Sequence, residues 1–213
     1  MTELENKIID FLNIEMANNS DASHDISHLK RVAQNCKKIQ KQEGGNIDIL
    51  IISSYFHDII SLPKNSPDRH RSSELAAQKT ISVLREYFRE IPTDYYEPVA
   101  EAIRSHSYSA NIQAETLEAK ILQDADRLDA LGAVGLARVF YIAGKLNQKL
   151  FDNDDPFALN RPLDDRKYAL DHFYNKLLKL PDTLHTHQGK LLARERILIL
   201  YKYLENLKQE LSD

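Results

Sequence analysis

Helical periodicity is the feature that most constrains what this chain can fold into. Apolar residues recur at three- and four-residue spacing in nearly every segment, and the 213 residues include only six glycines and seven prolines. No segment shows the two-residue alternation of a convincing strand, and no internal repeat is present. The pattern predicts an all-α protein of about nine helices, at 3–18, 25–43, 47–59, 70–90, 94–107, 115–129, 130–146, 164–179 and 188–211.

Composition and charge exclude several classes of protein. The net charge of −4 argues against non-specific binding of duplex nucleic acid, although a local basic cluster can still bind a small phosphorylated molecule. No apolar run approaches the length of a membrane span, and the polar, acidic N-terminus is unlike a signal peptide. The single cysteine, Cys36, allows no disulfide within the chain. We therefore expect a cytoplasmic protein with no duplex nucleic acid or membrane partner; the sequence does not indicate an oligomeric state.

Four residues predict a metal centre: His28, the adjacent pair His57 and Asp58, and Asp126. The pair follows the strongly apolar segment 47–56, and Asp126 lies in a segment that mixes apolar residues with carboxylates. Charges in apolar helices are costly unless they are paired or bind a metal. Two imidazoles and two carboxylates can hold one divalent ion and leave positions for water and a substrate oxygen, a combination that suits hydrolysis of a phosphate ester.

The order His, then His-Asp, then a distant Asp resembles the HD-domain metal-dependent phosphohydrolase superfamily. The segments 24–32, 72–77, 103–109 and 124–138 are similar to a bacterial subgroup of small, stand-alone HD hydrolases. The resemblance extends over roughly residues 4 to 210. It implies one compact HD-type helical bundle over 1–213, with a metal-binding core at about 20–130 and a C-terminal helical extension at about 131–213.

The first histidine of the pattern has two candidates, His24 and His28, four residues apart. The family pattern assigns the ligand to the histidine that precedes Leu-Lys-Arg-Val, which is His28. Local chemistry agrees, because Ser23 or Asp25 is a good N-cap and would leave His24 at or outside the start of the helix. We expect His28 to be the metal ligand. His24 is expected either to contact a ligand residue without binding the metal or to face the substrate.

Further residues are candidates for substrate binding and proton transfer. Lys64 and Arg69 belong to a basic cluster that follows the His-Asp pair within a few residues, and we expect them to contact phosphate. The resemblance implies that His106 faces the active site. Either His106 or Asp129 could position or deprotonate the attacking water, and the sequence does not choose between them.

The predicted cofactor is one divalent metal ion. The resemblance favours manganese; magnesium, iron, cobalt, nickel and zinc are alternatives for this ligand set. The resemblance also favours a nucleotide substrate, with conversion of a nucleoside triphosphate into a monophosphate and pyrophosphate as the first expectation. A 5′-nucleotidase or a phosphodiesterase would use the same metal site, and a nucleotide-sensing module without turnover is the alternative outside the enzymes.

Overall fold

The computed structural model describes residues 2–15, 26–62, 66–107 and 110–212. These ranges contain nine α-helices and no β-strand, which confirms the predicted all-α fold. Short 3-10 helices occur at Arg69–Arg71, Thr93–Tyr95 and Leu177–Thr183. The α-helices are α1 (Glu3–Glu15), α2 (Ile26–Glu43), α3 (Ile47–Phe56), α4 (Ser72–Tyr87), α5 (Tyr96–His106), α6 (Leu117–Asp129), α7 (Gly132–Lys145), α8 (Asp171–Asn175) and α9 (His187–Glu210).

The chain divides into two compact units, Met1–Asp126 and Arg127–Asp213. Helix α6 begins in the first unit, and its last three residues belong to the second. The organisation into a single domain over 1–213 stays a prediction.

Helix α3 is the centre of the first unit. Every residue from Ile49 to Phe56 is buried, so the helix is covered on all sides by its neighbours α1, α2, α4 and α5. Asn46 caps its N-terminus by accepting hydrogen bonds from two backbone N–H groups at 3.0 and 3.3 Å. The buried hydroxyls of Ser53 and Ser54 donate to carbonyls of the preceding turn. The buried helix therefore fixes the position of His57, the residue that follows Phe56.

The second unit is built on the packing of α7 against α9. Three aromatic rings meet in its interior, from Phe140, Phe173 and Tyr203, with centroids 5.6 to 6.0 Å apart. Helix α9 starts at a capping threonine, Thr186, whose hydroxyl accepts from the backbone N–H of Gly189 at 3.0 Å.

The predicted helix at 164–179 is wrong in extent. The structure contains only the short helix α8 and the 3-10 segment that follows it. The backbone N–H of Lys149 donates to the carbonyl of Lys167 at 3.0 Å, so the chain before α8 pairs with a distant segment. The buried carboxylate of Asp171 accepts two hydrogen bonds from Arg161 at 2.6 and 2.8 Å. The backbone bonds to Lys149 take the place of intrahelical ones before α8, and a periodicity argument cannot anticipate them.

Across the described ranges, every helix falls short of the length or the hydropathy that crossing a membrane would require.

Candidate metal centre

Helices α2 and α3 bring two histidines together in the first unit. His28 lies in the first turn of α2, and His57 caps the C-terminal end of α3; both are buried. The two helices pack against each other. As a result, Nε2 of His28 lies 3.3 Å from Nε2 of His57, and the ring planes are inclined by 63°. Two ring nitrogens at this separation can both reach one small cation.

Two carboxylates lie near these ring nitrogens. Oδ2 of Asp58 lies 3.7 Å from Nε2 of His28 and 3.5 Å from Nε2 of His57. Oδ1 of Asp126, from α6, lies 3.6 Å and 3.9 Å from the same nitrogens. The Asp58 and Asp126 side chains are 13% and 30% exposed, so solvent reaches the cluster on the carboxylate side. The structure thus brings together all four residues predicted as metal ligands.

The protonation state of His57 suits metal binding. Its Nδ1 lies 2.8 Å from the carbonyl of Ser54, an acceptor, so Nδ1 carries the hydrogen and Nε2 keeps its lone pair. Burial lowers the pKa of His57 to about 4, although Asp58 and Asp126 favour the protonated form. At neutral pH the ring is therefore a neutral imidazole whose free nitrogen faces the cluster.

His106, the last residue of α5, lies beside this cluster. Its Nδ1 donates to the carbonyl of Ile103 at 2.6 Å, and its Nε2 lies 3.6 Å from Oδ1 of Asp58. The His106 ring packs edge-on against the His57 ring, with centroids 4.8 Å apart. Burial opposes protonation, but the Asp58 carboxylate outweighs it and raises the pKa of His106 above its ordinary value. His106 can therefore hold a proton at Nε2, at the edge of the candidate metal centre.

The donor set fits one divalent cation. Nε2 of His57 offers a lone pair because Nδ1 carries its hydrogen, and Asp58 and Asp126 can supply two negative charges that balance the charge of the ion. Candidate ligand atoms of His28, His57 and Asp58 all lie within 4.8 Å of one another.

The other predicted site residues have different surroundings. Asp129, in the second unit, is 2% exposed and forms an ion pair with Arg138. Arg69 donates from Nη1 to the carbonyl of Leu62 at 2.6 Å, so its guanidinium bonds to the backbone four residues after Asp58. His24 and Lys64 lie outside the described residues.

Sequence reasoning missed the backbone carbonyls of Ser54 and Ile103. Each lies three residues before a histidine at a helix C-terminus and fixes which ring nitrogen carries hydrogen. Nothing in the residue types marks them, because every residue has a carbonyl. The only available signal was the position of His57 and His106 at helix ends, where carbonyls lack intrahelical donors.

The fold and the site together define a class: an all-α protein with a cluster of two histidines and two aspartates in the order His, His-Asp, Asp. Residues 25–131 match the family model of the HD domain. The chain belongs to the HD-domain family.

Its relatives include small bacterial proteins of similar length. YpgQ from Bacillus subtilis (strain 168) is 29% identical over 194 residues, which cover 89% of this chain and 85% of YpgQ. The crystal structure of YpgQ in complex with ADP superposes with a TM-score of 0.73, covering 99% of this chain and 97% of that one, at 28% identity. A Bacillus thuringiensis protein described as an HD-superfamily hydrolase has a TM-score of 0.75 and 30% identity, covering 98% of this chain and 96% of its own.

Proposed function

We propose that this protein is a metal-dependent phosphohydrolase that acts on nucleotides. The observation that carries the proposal is the convergence of Nε2 of His28 and His57 with carboxylate oxygens of Asp58 and Asp126, all at separations of 3.3 to 3.9 Å from a ring nitrogen. Two comparisons support it: the Bacillus thuringiensis relative is described as a hydrolase, and YpgQ was solved in complex with ADP.

In this proposal His28, His57, Asp58 and Asp126 hold one divalent ion, with manganese as the first expectation. A divalent ion bound there would supply Lewis acidity, which lowers the pKa of a water molecule and polarises a phosphoryl oxygen. Asp58 and Asp126 are the partly exposed members of the cluster, so the ion and the substrate are proposed to enter on their side.

The chain's own groups then orient the substrate and move the proton. His106 keeps Nδ1 on the Ile103 carbonyl and presents Nε2 toward Asp58, so the ring can carry a proton at Nε2 without turning. Arg69 donates from Nη1 to the Leu62 carbonyl, and we propose that its guanidinium also donates to a phosphate chain. Lys64 is proposed to add a second positive charge.

The proposed reaction is hydrolysis of a nucleoside triphosphate at the α-phosphorus. The oxygen of water bonds to the α-phosphorus, the bond from that phosphorus to the bridging oxygen breaks, and pyrophosphate leaves with the bridging oxygen. The proton lost by water passes to a base, for which His106 is the first candidate because it lies against the cluster. Asp129, which forms an ion pair with Arg138, is the second candidate.

A panel of nucleotides tests the proposal. The purified protein, loaded in turn with manganese, magnesium, iron, cobalt, nickel and zinc, is incubated with nucleoside mono-, di- and triphosphates and with a phosphodiester. The products are identified by phosphorus NMR. Pyrophosphate from a triphosphate is the expected result, and the Asp58→Asn protein, prepared in the same way, should release none.

Other outcomes assign the alternatives. Inorganic phosphate from a monophosphate would define a 5′-nucleotidase, and cleavage of the diester would define a phosphodiesterase. Saturable nucleotide binding without any product would define a sensing module and overturn the proposed activity. A cytoplasmic location stays a prediction.

A further inference from the structure

A buried amide lies two turns along α2 from His28. The Asn35 side chain is 3% exposed, and its Nδ2 donates to the carbonyl of Ala125 at 3.0 Å. Ala125 is the residue immediately before Asp126 on α6. Because residues seven apart share a face of a helix, His28 and Asn35 face the same neighbour. One hydrogen bond therefore ties the helix that carries His28 to the backbone that carries Asp126.

A second buried amide makes the equivalent contact at the end of α5. Gln123, also 3% exposed, donates from Nε2 to the carbonyl of Ser105 at 2.7 Å. Ser105 immediately precedes His106, and its carbonyl is among the last four of α5, which have no intrahelical donor. Gln123 supplies that donor and so ties the end of α5 to α6.

We propose that Asn35 and Gln123 are positioning residues: Asn35 sets the orientation of Asp126 in the metal centre, and Gln123 sets the orientation of His106. This inference rests on the proposed metal-dependent function. Neither amide is a candidate ligand; each acts through the backbone carbonyl that precedes a site residue.

These two bonds fix the position of α6 relative to α2 and α5. The Asp126 side chain projects from α6, so a rotation of α6 about its axis would move the Asp126 carboxylate away from the histidines. Oδ1 of Asp126 lies at 3.6 and 3.9 Å from the two ring nitrogens, and a divalent ion needs its ligands at about 2 Å, so small displacements change the affinity. A buried amide that loses its acceptor is costly, which resists such a rotation.

The test uses shape-conserving variants of the full chain. Asn35→Leu and Gln123→Met remove the donor and keep the approximate volume. The matched control is Thr80→Val, which removes another fully buried side-chain bond, from the Thr80 hydroxyl to the Ala76 carbonyl at 2.7 Å, within α4. The measurements are Co²⁺ affinity from its visible spectrum, unfolding of the metal-free protein in urea, and NMR resonances of the His106 ring.

Asn35→Leu is expected to weaken Co²⁺ binding by roughly 10- to 100-fold and to change the spectrum of the bound ion. Gln123→Met should keep Co²⁺ affinity within about threefold, shift the His106 resonances, and lower kcat by roughly 10-fold or more with KM kept. Thr80→Val should be less stable to urea, while its Co²⁺ affinity and its His106 resonances stay unchanged. If Asn35→Leu does not fold, Asn35→Ala serves as the second variant and should show the same loss of affinity.

Wild-type Co²⁺ affinity in both asparagine variants, with unchanged His106 resonances in Gln123→Met, would overturn the inference and leave the proposed metal centre intact. An equal loss of Co²⁺ affinity in Thr80→Val would also overturn it, because the effect would then be a general loosening of the core. Failure of the wild-type protein to bind Co²⁺ would overturn the metal centre itself, and this inference with it.

Discussion

Nε2 of His28 lies 3.3 Å from Nε2 of His57, although 29 residues separate the two histidines in the sequence. Two ring nitrogens at that distance can share one proton or bind one cation together. Nδ1 of His57 already donates to the Ser54 carbonyl, and burial lowers the pKa of this ring. Nε2 of His57 therefore carries no hydrogen at neutral pH, which favours the arrangement in which the two nitrogens bind one cation. The relationship makes these histidines the first residues to test.

Vacating a position in the metal centre should remove the ion and leave the fold intact. His28→Ala, His57→Ala and Asp58→Ala are each expected to lose bound manganese, measured by elemental analysis, with unchanged helical circular dichroism, because the apolar core does not depend on the ion. His24→Ala is the control and should keep its metal. Full metal content in Asp58→Ala would contradict the assignment, and loss in His24→Ala with retention in His28→Ala would move the ligand to His24.

Lys64→Ala should weaken turnover without changing metal occupancy. The expected loss is about 1–3 kcal/mol of transition-state stabilisation, the scale of one charge-assisted hydrogen bond, measured as kcat/KM. The loss should be larger for a triphosphate than for a monophosphate, because the longer chain offers more negative oxygens. Arg69→Ala should also remove the hydrogen bond that Arg69 donates to the Leu62 carbonyl. Unchanged kcat/KM in both variants would show that neither Lys64 nor Arg69 binds phosphate.

His106 and Asp129 can be separated by what each substitution damages. His106→Gln is expected to lower kcat by roughly 10²- to 10⁴-fold with the metal retained, because the ring lies against Asp58. Asp129→Asn should instead lower the free energy of unfolding by about 1–3 kcal/mol, because it removes the charge of a buried carboxylate that forms an ion pair with Arg138. Steady-state kinetics and urea unfolding measure the two effects, and the reverse pattern would assign the base to Asp129.

Gly135→Ala should destabilise the protein, and Gly144→Ala should not, although both glycines lie in α7. A Cβ on Gly135 would clash with the carbonyl oxygen of Ala130, so the backbone would have to shift. We expect a loss of about 1–3 kcal/mol in the free energy of unfolding. A Cβ on Gly144 meets nothing within 4 Å, and alanine there should add up to about 1 kcal/mol through helix propensity. Equal midpoints in urea for the two variants would contradict the close approach.

Glu5 should make stability depend on pH in the acid range. Burial disfavours its charge, but the hydrogen bond from Lys37 at 2.6 Å and the backbone N–H of Thr2 outweigh burial and lower the pKa of Glu5. The unfolded chain therefore takes up the proton first. The contribution of Glu5 is complete above about pH 4.5 and is lost as the pH falls through the pKa of the folded state.

The measurement for Glu5 is the free energy of unfolding in urea between about pH 3 and about pH 6. Glu5→Gln should lose less stability over this range than the wild type. Glu3→Gln, at an exposed position of the same helix, should follow the wild-type curve. Identical slopes for all three proteins would show that Glu5 does not contribute to acid unfolding.

Local sequence information was sufficient for most of the helices. The boundaries of α2 and α9 fall within one residue of the predicted 25–43 and 188–211, because apolar spacing and helix-ending residues act within a few turns of chain. The extent of the helix predicted at 164–179 could not be derived from the sequence, because the backbone there pairs with Lys149, which is distant in the sequence.

The sequence by itself determined the all-α class and the residue types of the candidate metal centre, because an apolar helix that ends in His57 and Asp58 is a local signal. Only the tertiary structure decided that Asp126 reaches both histidines and that Asp129 pairs with Arg138. It also decided which nitrogen of His57 carries the hydrogen. Each of these depends on distances of a few ångströms between groups that the backbone path brings together, and periodicity contains no information about such distances.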